Sequence, residues 1–231
     1  MVPTRLVFYD WPYSPFCMKV RAILDYKGVE YEAVNPLAWQ RRIRQRGGIG
    51  KVPALEIDGE MIVDSTDIAY ALDARFPEPP LLPQDLRQRA LCHALEDWAD
   101  ESLYFIGLYY RWYEAEGRKP IRLVFGNSLG GRLVYRFYLR RILGQIRSQG
   151  TLRKPVEHVR RDLDRHLDAI EALLKPGPYL LGDAPYLCDF ALLGQLRYLK
   201  STPVGGKAVE PYSSIRRYLL QGKATLASPA A

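Results

Sequence analysis

The chain has 231 residues, 48% of them apolar and 26% charged, a composition that excludes a disordered polar segment and allows one large domain or two small ones. No apolar run reaches the roughly 18 to 20 residues that span a bilayer, and the first ten residues lack a basic-then-apolar leader, so a cytoplasmic protein without a membrane span is expected. The net charge of +7 is uneven: residues 1–80 hold ten basic and eleven acidic side chains, whereas 119–161 hold eleven basic ones against a single acid, Glu157.

Cys17, Cys92 and Cys188 are odd in number and widely spaced, and His93, His158 and His166 are equally scattered. That spacing gives neither a disulfide framework nor a metal site, so metal chemistry is not expected.

The first eighty residues alternate strand and helix signals. "RLVFYD" (5–10) is rich in strand formers, and a turn-like "WPY" leads into a helix over about 15–27. Phe16, Val20, Ile23 and Leu24 recur there at helical spacing, with Gly28 at the C-terminal cap position. "VEYEAVN" (29–35) alternates as a second strand, and "PLAWQRRIRQR" (36–46) reads as a short basic helix or an irregular connector. Two short strands then flank Asp58-Gly59, a dipeptide suited to a type I′ hairpin turn. Ile68, Leu72 and Phe76 mark the next helix, ended by Pro77. The order predicts one α/β layer with a mixed sheet over 1–78.

"PEPPLLPQDL" (77–86) places four prolines in ten residues, a stiff connector and the expected domain boundary, with the linker at 79–86. Beyond it helical patterns dominate, over roughly 86–116, 130–148, 152–175, 187–200 and 211–221, which predicts an all-helical domain over 87–222. The tail 223–231 is small and polar enough to fray. In the helix over 130–148, Arg132, Arg136, Arg140 and Arg147 fall on one side, with Tyr135, Leu139, Ile142 and Ile146 on the adjoining one. A solvated or dimer-facing surface is the favoured reading of this basic stripe over anionic lipid, nucleic acid or an acidic partner, and no specific nucleic acid is expected.

Three motifs, "YSPFCMKV" (13–20), "GKVPALEIDGEMIVDS" (50–65) and "YLLGDAPYLCDFALL" (179–193), stand in an order and spacing that resemble the glutathione S-transferase superfamily along nearly the whole chain. The first is most similar to the serine- and cysteine-using classes such as theta, zeta and omega. "LEDWADESLY" and "DFALLGQL" are also similar, more weakly, to bacterial relatives of metaxins and axon-connection proteins. The resemblance implies a thioredoxin-like first domain, an all-helical second one, glutathione as cosubstrate, a hydrophobic electrophile as the other substrate, and a homodimer.

Ser14-Pro15 is by itself a complete helix start, serine as N-cap and proline at the first helical position. A cap uses the serine oxygen as acceptor and leaves the hydroxyl proton free. The resemblance implies a second role, in which that proton and the positive end of the helix stabilise a glutathione thiolate. Tyr13 is the competing donor, since a phenol makes the same bond, while Tyr9 at the strand end reads as core. Cys17 sits where a dithiol motif has its inner thiol, but Ser14 replaces the outer, attacking sulfur. Disulfide exchange is thereby disfavoured, and Cys17 reads as a small buried apolar residue.

The same resemblance implies a cis Val52-Pro53 bond that turns the Val52 N–H and C=O toward the cysteinyl backbone of an extended peptide. Lys51 is then either near the glycyl carboxylate or an ordinary surface lysine. Ser65 is expected to cap the next helix and, with the free N–H groups behind it, to offer an anion site for the γ-glutamyl carboxylate, while Asp64 balances the ammonium. Asp189 resembles an aspartate that starts a helix in the second domain, but Tyr186 stands where the family has Ser or Thr. On the substrate side, Tyr104, Leu108 and Tyr109 from the aromatic stretch 102–113, with Trp11 and Tyr13 from the first loop, are expected to line an apolar pocket; helix packing is the alternative for most of them. Two further readings stand beside a transferase: a fold-sharing scaffold without turnover, and glutathione-dependent disulfide reduction.

Overall fold

The computed structural model describes residues 4–34, 43–45 and 51–227, with side chains through Gln221. Four strands, β1 (Leu6–Tyr9), β2 (Glu32–Val34), β3 (Ala54–Ile57) and β4 (Glu60–Val63), form one mixed sheet in the order β2-β1-β3-β4. β1 runs parallel to β2 and antiparallel to β3. Between β1 and β2 lies α1 (Pro15–Tyr26), the crossover a parallel pair requires, and α2 (Ser65–Arg75) follows β4. The β3–β4 turn has Asp58 at φ 50° and Gly59 at φ 95°, the two positive values of a type I′ hairpin. Of the stretch 36–46 only residues 43–45 are described, helical and with Ile43 fully buried; the rest of that expectation lies outside the described residues.

Strand register decides where the connecting loops end. Tyr9 pairs with Ala54 and Ala54 with Val63, so three adjacent strands are level at one end of the sheet. There the chain leaves β1 toward Ser14, enters β3 from Pro53, and leaves β4 into Asp64 and Ser65. With neighbouring strands about 4.8 Å apart, three segments distant in sequence meet at one end of the layer.

The remainder is helical: α3 (Leu86–Asp97), a π-helical turn (Trp98–Leu103), α4 (Tyr104–Trp112), α5 (Ala115–Val124), α6 (Leu129–Gln149), α7 (Val156–Leu174), α8 (Leu187–Lys200), α9 (Pro203–Val209) and α10 (Ser213–Ala227). The single helix expected over 86–116 is therefore interrupted by the π turn and again at 113–114. α5 and α9 escape the periodicity because Gly117, Pro120 and the run Pro203-Val204-Gly205-Gly206 are poor helix formers. Pro155 delays α7 to Val156, past the expected start at 152. α10 runs on to Ala227, through part of the tail expected to fray, since Lys223, Ala224, Leu226 and Ala227 favour helix; 228–231 lie outside the described residues.

α8 is the central helix, and it packs directly on α1. A Cβ at Gly194 would meet the Pro15 carbonyl oxygen at 2.6 Å, so glycine is what lets α8 approach the first turn of α1. Asp189, in the first turn of α8, accepts from the N–H groups of Leu180 (2.9 Å) and Tyr186 (3.0 Å). The Tyr218 hydroxyl of α10 donates to the Asp189 carbonyl at 2.7 Å and reaches the carboxylate at 3.2 Å, so the helix start is held by the Asp189 carboxylate and from a neighbouring helix instead of by a Ser or Thr cap.

A buried cation joins the sheet-bearing and helical parts. Lys19 on α1 is fully buried, and its ammonium donates to Glu96, to Asp100 at 2.7 Å, to Thr66 Oγ1 at 3.1 Å and to Ser65 Oγ at 3.4 Å. Glu96 and Asp100 are buried too, and Gln195 of α8 donates to Asp100 at 2.9 Å. Removing one member of such a group leaves uncompensated charge in the interior. Lys19→Ala is therefore expected to lower the unfolding free energy by about 3–5 kcal/mol in a urea titration; a loss below about 1 kcal/mol contradicts this role.

Candidate active site

After β1, residues 11–14 close a tight turn in which the Ser14 N–H donates to the Trp11 carbonyl at 2.9 Å, with Pro12 at the position a turn favours for proline. Ser14 is then the N-cap of α1 (φ −87°, ψ 125°), its Oγ accepting from the Cys17 N–H at 3.3 Å, and Pro15 is the first helical residue. Because the oxygen acts as acceptor, the hydroxyl proton is available to a ligand. The first turn of α1 has no acidic residue to offset the partial positive charge of the helix end. Tyr13, next along the turn, is half-exposed, its ring 5.5 Å from that of Trp11.

Cys17 points the other way. It is fully buried and its Sγ accepts the Trp11 N–H at 3.3 Å; burial pushes its pKa up to about 12, so it stays a neutral thiol. Tyr9 is also buried, and its hydroxyl donates to Glu56 at 3.1 Å within the sheet layer.

At the same end of the sheet the Val52-Pro53 bond is cis. Pro53 is buried, Val52 half-buried and Lys51 exposed. The start of α2 differs from the sequence expectation: Asp64 and not Ser65 is the N-cap. At φ 79° the Asp64 backbone turns so that its carboxylate accepts the Thr66 N–H at 2.9 Å. Ser65 is the first helical residue, 5% exposed, with its oxygen accepting from Lys19. What this helix start offers an anion is therefore the Ser65 N–H, which has no intrahelical acceptor, together with the Ser65 hydroxyl proton.

On the helical side of Ser14 lies a cavity of about 240 Å³. Trp11, Tyr13, Ser14 and Met18 form its wall from the first domain; α4 supplies Tyr104, Leu108, Arg111 and Trp112, and Tyr138 and Tyr198 come from α6 and α8. Tyr109 is not part of it. Leu108, Arg111 and Trp112 follow Tyr104 by four, seven and eight residues and share its face, whereas Tyr109 lies roughly 140° around the helix. It is buried in the core, its ring packed against those of Tyr110 and Tyr113.

Burial raises the phenol pKa values of Tyr104, Tyr138 and Tyr198, so these hydroxyls are neutral at pH 7. Arg111, absent from the sequence reading, is the charged exception. Its signal was an arginine inside the otherwise apolar run "FIGLYYRW", one helical face from Tyr104 and Leu108. Among the described residues no group of three or more His, Cys, Asp or Glu is placed to hold a metal ion, and no helix is long and apolar enough to cross a membrane.

Family models of the glutathione S-transferase N-terminal and C-terminal domains match residues 8–80 and 153–220. Failed axon connections of Drosophila melanogaster is 27% identical over 201 residues, covering 80% of this chain and 47% of that protein. Glutathione S-transferase Z1 of Arabidopsis thaliana is 39% identical over 93 residues, covering 38% of this chain and 42% of its own. The chain thus spans less than half the length of these two relatives. Isoprene-epoxide–glutathione S-transferase of Rhodococcus sp. strain AD45 is 29% identical over 199 residues, 82% of each chain. The structure of maleylacetoacetate isomerase from Anaeromyxobacter dehalogenans 2CP-1, with glutathione in its active site, is 30% identical with a TM-score of 0.58, covering 97% of this chain and 92% of its own. With family models on both parts of the fold and this isomerase aligned along nearly its full length, the chain belongs to the glutathione S-transferase superfamily.

Proposed function

We propose that the protein is a glutathione transferase in which Ser14 holds the glutathione thiol as a thiolate for attack on an organic electrophile. One observation carries this reading: the Ser14 hydroxyl, its oxygen engaged by the Cys17 N–H, lines a cavity at the amino end of α1. A sulfur there accepts a hydrogen bond from the Ser14 hydroxyl and feels the field of the helix end, the two effects that lower a thiol pKa. The tripeptide lies extended across the level end of the sheet. Val52 pairs with its cysteinyl backbone, Lys51 meets the glycyl carboxylate, and Ser65 and Asp64 take the carboxylate and ammonium of the γ-glutamyl group. The thiol proton goes to solvent, sulfur bonds to an electrophilic carbon, and the displaced group leaves with the electron pair.

The Rhodococcus relative is named for isoprene epoxide and glutathione, and the Anaeromyxobacter structure holds glutathione in its active site, which supports this class of chemistry. Cys17, Cys92 and Cys188 are free and buried, which suits a reducing compartment, the cytoplasm. A homodimer belongs to the same reading, and Tyr70, Leu86 and Leu91 expose apolar surface for it on α2 and α3. A scaffold without turnover is favoured by a different observation: the outer face of α6 exposes Leu133 and Phe137 beside Arg132, Arg136 and Arg140.

Ser14→Ala is expected to lower kcat/KM for conjugation of a generic aryl halide by about tenfold or more, the size of a lost hydrogen bond to a charged group, while Tyr13→Phe changes it less than about threefold. The reverse pattern assigns the sulfur to Tyr13, and retention on immobilised glutathione without turnover of any electrophile in a broad panel favours the scaffold. With its pKa at about 12, Cys17 is thiolate to only ~10⁻⁴ at pH 8. It is expected to resist an aromatic disulfide reagent until denaturant is added; rapid labelling of the native protein at Cys17 revives disulfide reduction.

A further inference from the structure

Arg111 is the one charged side chain among the fifteen that line the cavity beside Ser14. It stands in the last turn of α4 and is only 6% exposed. Its guanidinium meets neutral groups: Nη1 donates to the Gly117 carbonyl at 3.3 Å, Nη2 donates to the Ser201 hydroxyl, and the Tyr198 ring centroid is 5.5 Å away. Among the described residues no carboxylate pairs with it. The carboxyl end of α4 offsets part of the charge, which gives Arg111 a purely structural reading. That reading leaves a guanidinium that does not lose its proton, with further N–H donors, at the wall of a cavity whose phenols are neutral. A buried charge of this kind normally has a partner of opposite sign.

We infer that the electrophile carries a carboxylate, which pairs with Arg111 while the reactive carbon lies at the Ser14 end of the same cavity. The inference rests on the transferase reading above and narrows its substrate class. Size agrees: a cavity of about 240 Å³ exceeds the ~150 Å³ that accommodates benzene, so a single substituted ring fits. Planar carboxylate and guanidinium also match as a two-point hydrogen-bonded pair, which fixes direction as well as charge. The substrate is held by its anionic end, and the ring rests on Tyr104 and Trp112.

A matched pair of probes tests this, 4-chloro-3-nitrobenzoate and its methyl ester. In both, the thiolate sulfur bonds to the ring carbon, the carbon–chlorine bond breaks and chloride leaves with the electron pair; only the far end differs in charge. The quantity read is the ratio of kcat/KM for the acid to that for the ester. In the native protein the acid is expected to be preferred despite the less activated ring. Arg111→Gln is expected to lower that ratio about tenfold or more, and Arg111→Lys to retain part of the preference. A native ratio favouring the ester, or one unchanged in Arg111→Gln, overturns the inference and leaves the transferase reading standing. If neither probe is turned over, the transferase reading is decided by the broad electrophile panel, and calorimetry decides the inference. Binding of 4-chloro-3-nitrobenzoate that weakens about tenfold or more in Arg111→Gln supports the anion site, and absence of binding to the native protein overturns it.

Discussion

The ammonium of Lys19, buried between Glu96 and Asp100, fixes where α1 stands against the helical domain. The same ammonium reaches Ser65 and Thr66, so the first turn of α2 is held against α1 from within the protein. Gly194 completes the arrangement by letting α8 come close to Pro15, the residue that follows Ser14. The amino ends of α1 and α2 are thereby placed at the end of the sheet where Tyr9, Ala54 and Val63 are level. Ser14 and Ser65 are treated alike. Each hydroxyl oxygen receives a hydrogen bond from inside, from the Cys17 N–H in one case and the Lys19 ammonium in the other. A hydroxyl polarised in this way is a better donor outward.

The two sides of Ser14 differ in character. Toward the sheet are backbone groups, an exposed lysine and an exposed aspartate, which suit a zwitterionic peptide. Toward the helices is an aromatic wall with neutral phenols and one guanidinium. Ser14 and the Arg111 guanidinium line one small cavity, so under the proposed function the thiolate and the cation share a space of low polarity, where charge interactions are stronger than in water. Under the proposed function, ionising the sulfur and holding its target fall to different residues of that cavity. Cys17 takes no part in either, because its sulfur is turned into the core.

Features set by neighbouring residues were legible in the sequence. Asp58-Gly59 announced its turn, Ser14-Pro15 its helix start, and the proline run 77–86 the passage to helices, because each acts through local backbone geometry. Features set by distant partners were not. Lys19 reads as an ordinary lysine, and its burial depends on Glu96 and Asp100, which lie 77 and 81 positions away. The cap at α2 shifted from Ser65 to Asp64 because Lys19 claims the serine oxygen and the Asp64 backbone adopts a positive φ. Tyr109 stands next to Leu108 in the sequence, but helical geometry puts it on the other side from Tyr104, and the same geometry points to Arg111. Helices α5 and α9 contradict their local propensities and are supported by packing, as where Gly117 admits α5 against the Tyr110 carbonyl.

The claim on which the rest stands is that the amino end of α1 keeps a guest sulfur ionised. The direct measurement is a pH titration of the thiol of bound glutathione, followed by the ultraviolet absorbance of the thiolate, in the native protein and in Ser14→Ala. The bound thiol is expected to ionise at least about one pH unit below the ~8.5 of a free thiol, with most of that shift lost in Ser14→Ala. A bound thiol that titrates at the free value in the native protein, or one equally depressed in both proteins, contradicts the claim.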